Sequence, residues 1–176
     1  MERVRTRQME NADAEIRRMM EAYGSSMLRM CFLYLRDAAL AEDAVQESFL
    51  KAYRHLDGFR GESGEKTWLM RIAINTCKDF HRSAWARLVD RRVALDGIQP
   101  AAGDAEPSDD TVIHEVMRLS DKDKEVILLR YYQNMKIWEI SEALNIPKGT
   151  VTSRLNRARE KLHRRLKGWY FDEGEL

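Results

Sequence analysis

MKIWEISEALNIPKGTVTSRLNRAREKLHRRL, residues 135–166, reads as two short helices joined by a tight turn, and the rest of the chain is organised around it. Ile137, Ile140, Ser141 and Leu144 fall at i, i+3, i+4 and i+7, one face of a first helix. Asn145-Ile146-Pro147-Lys148-Gly149 supplies the breakers, with Pro147 near the start of a second helix, where its missing N–H costs nothing. Val151, Leu155, Ala158 and Leu162 then repeat at i, i+4, i+7 and i+11 as one apolar stripe. The opposite face carries Thr152, Ser153, Asn156, Arg157 and Glu160, with Lys148, Arg154, Arg159 and Lys161 on its flanks. Short hydrogen-bonding groups mixed with cations suit the major groove of DNA, where Arg reads guanine, Asn reads adenine and flanking cations meet phosphates. The spacing is that of a helix-turn-helix.

From Lys136 to Lys167 there are nine Lys or Arg against three Glu, a charge of +6 in a 176-residue chain that sums to +1. Opposing acid is concentrated in ALDGIQPAAGDAEPSDDTVI, residues 94–113, which holds Asp96, Asp104, Glu106, Asp109 and Asp110, no Lys or Arg, and two of the three prolines. That texture predicts an extended, mobile, acidic linker over residues 91–112, between a helical domain at 1–90 and a second at 113–170. The expected fold is all-α: two small helical domains joined by a flexible acidic linker, the C-terminal one holding the helix-turn-helix.

Several function classes fall away. The charged start, MERVRTRQMENADAEIRR, is no signal peptide, and no apolar run approaches the roughly 20 residues of a membrane span, so a cytoplasmic location is expected. Cys31 and Cys77 lack a CxxC neighbour and read as free, buried thiols, and the four histidines form no ligand cluster. There is no phosphate-cradling glycine loop, GxSxG or HExxH, so neither enzyme activity nor a cofactor or metal is expected.

A helix is expected from about Ala12 to Leu35, with Ile16, Met20, Tyr23, Met27, Met30, Cys31 and Tyr34 as core and Gly24-Ser25-Ser26 as a weak point. Asp37 is placed to cap the next helix, residues 38–56, whose stripe Val45, Phe49, Ala52 and Leu56 should be buried. Nearly opposite lie Asp43, Gln46, Glu47 and Leu50, either a solvated face or a docking surface for a basic partner; spacing alone favours the solvated face. A glycine-rich loop, residues 57–67, leads into a helix starting at Lys66 or Thr67 that buries Leu69, Ile72, Ala73, Thr76 and Phe80. Its other side aligns Arg71, Asn75, Lys78 and Arg82, either nucleic-acid contacts or solvated charge. Beyond the linker a short helix runs from Val112 to Leu119, and Ser120-Asp121-Lys122-Asp123 resembles a capping box entering a scaffold helix with Val126, Ile127, Leu128, Leu129 and Tyr131.

AEDAVQESFLKAY (41–53), FRGESGEKTWLMRIAIN (59–75) with Asp79 and Arg82 beyond, and EVILLRYYQNMKIWEISEALNIPKGTVTSRLNRAREKL (125–162) stand in the order found in the extracytoplasmic-function sigma factors of bacterial RNA polymerase, and the chain resembles that family over nearly its whole length. The resemblance implies that Asp43, Gln46, Glu47 and Leu50 dock on core RNA polymerase. It implies that the loop with Phe59, Arg60, Gly61, Glu62, Ser63 and Lys66 captures a base flipped from the −10 element, and that Arg71, Asn75, Lys78 and Arg82 contact the same element, with Trp68 anchoring the helix. It also implies that Lys148, Thr150, Thr152, Ser153, Arg154, Asn156, Arg157 and Arg159 meet the −35 element, and that a cognate anti-sigma factor is a further partner. Departures from the family pattern are Ser120 where Pro is common, Lys136 where Ser or Thr is expected, and Gly64 and Glu65 in the loop. A free-standing helix-turn-helix regulator, binding duplex DNA as a dimer, is the alternative.

Overall fold

The computed structural model describes residues 2–59, 61, 64–94 and 110–170, with side chains described for 11–59, 61, 64–83 and 111–166. Among them are seven α-helices and no strand: α1 (Glu2–Leu35), α2 (Ala38–His55), α3 (Glu65–Ala94), α4 (Asp110–Met117), α5 (Asp121–Ile127), α6 (Ile137–Leu144) and α7 (Lys148–Tyr170). Most of the expected acidic linker, 95–109, lies outside the described residues; its two ends are instead helical, in α3 and α4.

α1 begins at Glu2, before the expected Ala12, and runs unbroken through Gly24-Ser25-Ser26, where the Ser26 hydroxyl donates to the Tyr23 carbonyl at 3.0 Å and is satisfied within the helix. Both α2 and α3 pack on α1. Its buried face is correspondingly wide, taking in Met19 and Leu33 and leaving Met20 49% exposed. The Asp37 carboxylate accepts the Leu40 N–H at 2.9 Å and starts α2. Ala41, Ala44, Ser48, Phe49 and Ala52 are buried there, while Val45 and Leu56 lie half-buried at the margin. Three alanines on that face let α2 approach its neighbours closely.

α3 begins at Glu65, earlier than expected, since an acid in the first turn complements the helix dipole and Glu65 also pairs with Arg18 of α1. Besides Leu69, Ala73 and Thr76 it buries Met70, Ile74 and Cys77 completely. The wider buried arc has a simple cause: α3 is covered by α1 and α2 on one side and by α6 on the other. The two helical halves therefore sit closed against each other.

In the second half Val126, Ile127, Leu128 and Leu129 form the scaffold core, on which Ile140, Ala143, Val151, Leu155 and Ala158 pack. Ile137, by contrast, is 37% exposed at the first turn of α6. The scaffold helix widens into a π turn over Leu128–Tyr132, with Gln133 N–H donating to the Leu128 carbonyl at 3.1 Å. This turn carries Tyr131 outward, 48% exposed, rather than into the core. The capping box expected at Ser120 does not form: its side chain makes no cap, and its carbonyl instead accepts Asp123 and Lys124 N–H at 2.9 and 2.8 Å. At α6 half of such a box is made, the Glu139 carboxylate accepting the Lys136 N–H at 2.6 Å. Asn145, in the left-handed conformation at φ 52°, ends α6 and begins the tight turn.

Candidate nucleic-acid interface

On α7 the buried stripe forces Thr152, Ser153 and Asn156 outward, where all three are exposed. The two hydroxyls donate back to their own helix, Thr152 to the Lys148 carbonyl at 3.1 Å and Ser153 to the Thr150 carbonyl at 3.0 Å, and keep their lone pairs outward. Lys148 and Arg154 flank them, and Thr150 is half-buried at the helix start. Two other residues of the expected reading set are engaged within the chain. Arg157 donates to the Asp123 carboxylate at 3.0 and 2.6 Å, and Arg159 donates to the Tyr131 hydroxyl at 2.6 Å.

Asp123 was legible only as a capping residue, yet it is fully buried and holds α7 to α5 through both Arg157 and Lys161, the latter at 2.7 Å. Burial alone raises a carboxyl pKa, but hydrogen bonds from Arg157, Lys161 and Ser120 outweigh it and bring Asp123 down to about 2.

The expected −10 face divides. Phe59 stacks on Trp68, ring centroids 4.7 Å apart, so Trp68 fixes the loop to the first turn of α3. Gly61 has φ +71°, a backbone conformation that favours glycine. Arg60, Glu62 and Ser63 lie outside the described residues. Asn75 and Arg82 are exposed, Arg82 pairing with Asp79 at 2.5 Å.

The other three cations point into the second domain. Lys66 donates to the Gln133 carbonyl, Arg71 donates to the Glu142 carbonyl through Nε at 3.1 Å and Nη2 at 2.8 Å, and Lys78 pairs with Glu125 at 3.2 Å. Arg71 thus neutralises the C-terminal end of α6, where carbonyls lack helical partners. Around them the Tyr34 hydroxyl donates to Glu125 at 3.3 Å and Gln133 Nε2 donates to the Ser26 carbonyl at 2.8 Å. Sequence reasoning missed Glu125, Gln133 and Glu142 altogether; two of the three contribute backbone carbonyls, which carry no side-chain signal.

Asp43, Gln46 and Leu50 are exposed on α2 and Glu47 is half-buried, its carboxylate 3.9 Å from Arg54. They lie on one strip away from α1 and α3, and Leu50 is 51% exposed.

Residues 19–87 match the family model of sigma-70 region 2, and residues 110–162 that of sigma-70 region 4. Over 162 residues the chain is 33% identical to the ECF RNA polymerase sigma factor SigW of Bacillus subtilis, covering 84% of this chain and 86% of the relative. The chain belongs to the extracytoplasmic-function sigma factors. It is also 32% identical over 158 residues to the RNA polymerase sigma-H factor of Pseudomonas aeruginosa, covering 82% of each chain. A Bartonella quintana sigma factor RpoE, solved with the anti-sigma factor NepR, shares the fold at a TM-score of 0.71 and 24% identity, over 87% of this chain and 97% of that one. As a sigma factor the protein directs RNA polymerase to specific promoters and starts strand opening in transcription initiation. Family membership removes the free-standing regulator alternative. The region 2 match of this sigma factor runs from α1 into α3, and its region 4 match from α4 into α7. No described helix is long and apolar enough to cross a membrane.

Proposed function

We propose that the two halves of this sigma factor divide promoter recognition: residues 1–90 dock on the polymerase and open the −10 element, and residues 113–170 read the −35 element. Support for the second assignment is the outward row Lys148, Thr152, Ser153 and Asn156 on a helix whose other face is core, with no ion pair across it among the described residues. Asp43, Gln46, Glu47 and Leu50 form the docking strip, acid and amide beside one large apolar side chain. Phe59, Gly61 and the rest of the loop hold an unstacked base, while Arg71, Asn75, Lys78 and Arg82 meet the flanking backbone. Unstacking a base costs a few kcal/mol, and a pocket for it offsets part of that cost.

Each domain alone binds DNA weakly; tethering both to the polymerase makes the second contact intramolecular. Lys66, Arg71 and Lys78 leave the second domain when the halves separate and exchange its carbonyls and carboxylate for phosphates. A cognate anti-sigma factor fits this reading, since the Bartonella relative was solved with one. The protein carries out no reaction of its own and works in the cytoplasm beside the polymerase. Run-off transcription with purified core enzyme on a library of promoter-like duplexes tests the proposal, and an absence of stimulation on every member refutes it. The docking strip has its own test: Asp43→Lys and Glu47→Lys each abolish binding to core enzyme while the melting temperature stays unchanged. Unaltered core affinity would remove α2 from the interface.

A further inference from the structure

We propose that the cleft between the two domains is a binding site for a compact polyphosphate anion, which clasps the closed form. The cleft has a volume of about 550 Å³ and is lined by Tyr34 and Arg36 from the end of α1, His81 from α3, Arg118 after α4, Lys124 from α5 and Arg165 from α7. Four basic side chains from both domains thus converge on one space of small-molecule size, three of them arginines and the fourth, Lys124, a buried lysine whose pKa is pushed down by that burial.

Their internal partners are too few. One carboxylate, Glu115, serves both Arg118 at 3.4 Å and Arg165 at 3.2 Å. A second, Asp121, lies 3.5 Å from Lys124 and 3.7 Å from His81. Arg36 makes no side-chain hydrogen bond and no ion pair within 4.0 Å among the described residues, and the neighbouring Asp37 carboxylate is committed to the Leu40 N–H. Two positive charges are left over. Burial pushes the Arg36 pKa down, with Asp121 opposing and Arg118 adding to the depression, so the site favours an added anion. Arg36 also sits at φ 60°, a left-handed conformation uncommon outside glycine.

Guanidinium forks match phosphate oxygens bidentately, and three of the four cations are arginines. Convergence on a compact cleft, rather than alignment along an extended groove, favours a short phosphate chain over an acidic peptide. Because the lining comes from both domains, an anion here bridges them and withholds Arg71 and Lys78 from DNA. That last consequence rests on the −10 reading of those residues; the binding itself does not.

Isothermal titration of the full chain with sodium tripolyphosphate, at about 0.15 M salt to screen loose surface attraction, tests the site directly. The expected result is one anion per chain, with Arg36→Gln and the double change Arg118→Gln/Arg165→Gln each weakening binding about tenfold or more. Hydrogen exchange in α3 and α6 should slow when tripolyphosphate is added, which reports closure rather than attachment. ATP binding as tightly as tripolyphosphate shows that the phosphate chain is recognised; tighter ATP binding shows that a nucleotide is. The proposal is overturned by an absence of binding at millimolar anion, by equal affinity in Arg36→Gln, by loss of affinity in Arg154→Gln on the DNA face instead, or by a hexaglutamate peptide that binds where tripolyphosphate does not.

Discussion

Asp123→Asn is the most informative single change in the C-terminal domain. The carboxylate is fully buried and receives hydrogen bonds from Arg157 and Lys161, whose side chains are 52% and 34% exposed. A carboxyl that titrates near 2 in the folded chain against an ordinary 3.8 contributes about 2 kcal/mol of stability at neutral pH. The two cations can return to water, so the asparagine variant should lose about that amount rather than the 3–5 kcal/mol roughly typical of a broken, wholly buried pair. The folded pKa is depressed, so the contribution is complete above the unfolded value and disappears as pH falls through the folded one. Urea unfolding of wild type and variant should differ by about 2 kcal/mol at pH 7 and at pH 5, and by about half of that at pH 3. A difference that stays constant from pH 7 to pH 3 would mean the carboxylate's charge is not what holds α5 to α7. The same variant releases Arg157, so its −35 affinity reports whether that arginine reads DNA or only braces the helix.

Lys66→Ala, Arg71→Ala and Lys78→Ala together remove the three cation contacts of α3 to the second domain, and small-angle scattering should record a larger radius of gyration; an unchanged value would locate closure in the remaining contacts. Asn156→Ala, at an exposed position whose side chain makes no hydrogen bond among the described residues, should cost about 1–3 kcal/mol of −35 discrimination by gel shift of the polymerase holoenzyme while leaving thermal stability within about 0.5 kcal/mol. Discrimination unchanged in that assay would remove it from the reading set. Cys31 and Cys77 are both fully buried, and a hydrogen bond with Cys31 together with burial pushes the Cys77 thiol well above its usual range. Neither should react with a thiol reagent at pH 8 until urea unfolds the chain, and rapid labelling of the native protein would contradict this packing.

Much of the helical order was written locally. Asp37 before an apolar-periodic run, the Asn145 to Gly149 breakers and the 3.6-residue stripe through Val151, Leu155 and Ala158 each act within a few residues, and each has its expected counterpart in the fold. That Asp43, Gln46 and Leu50 on α2 and Thr152, Ser153 and Asn156 on α7 face outward was legible for the same reason, since a stripe that must be buried fixes which residues are left outside; the docking role of the α2 strip came from the family resemblance and not from spacing. What periodicity could not give is which cations are already spent. Arg157 meets Asp123 across 34 residues, Arg71 meets a Glu142 carbonyl across 71, and Tyr34 meets Glu125 across 91. Backbone carbonyls look alike in every sequence, and a charge has no partner until the chain brings one near. Closure of the two domains, the complete burial of Met70, Ile74 and Cys77 on α3, and the unbalanced cations of the cleft were therefore decided by tertiary packing alone.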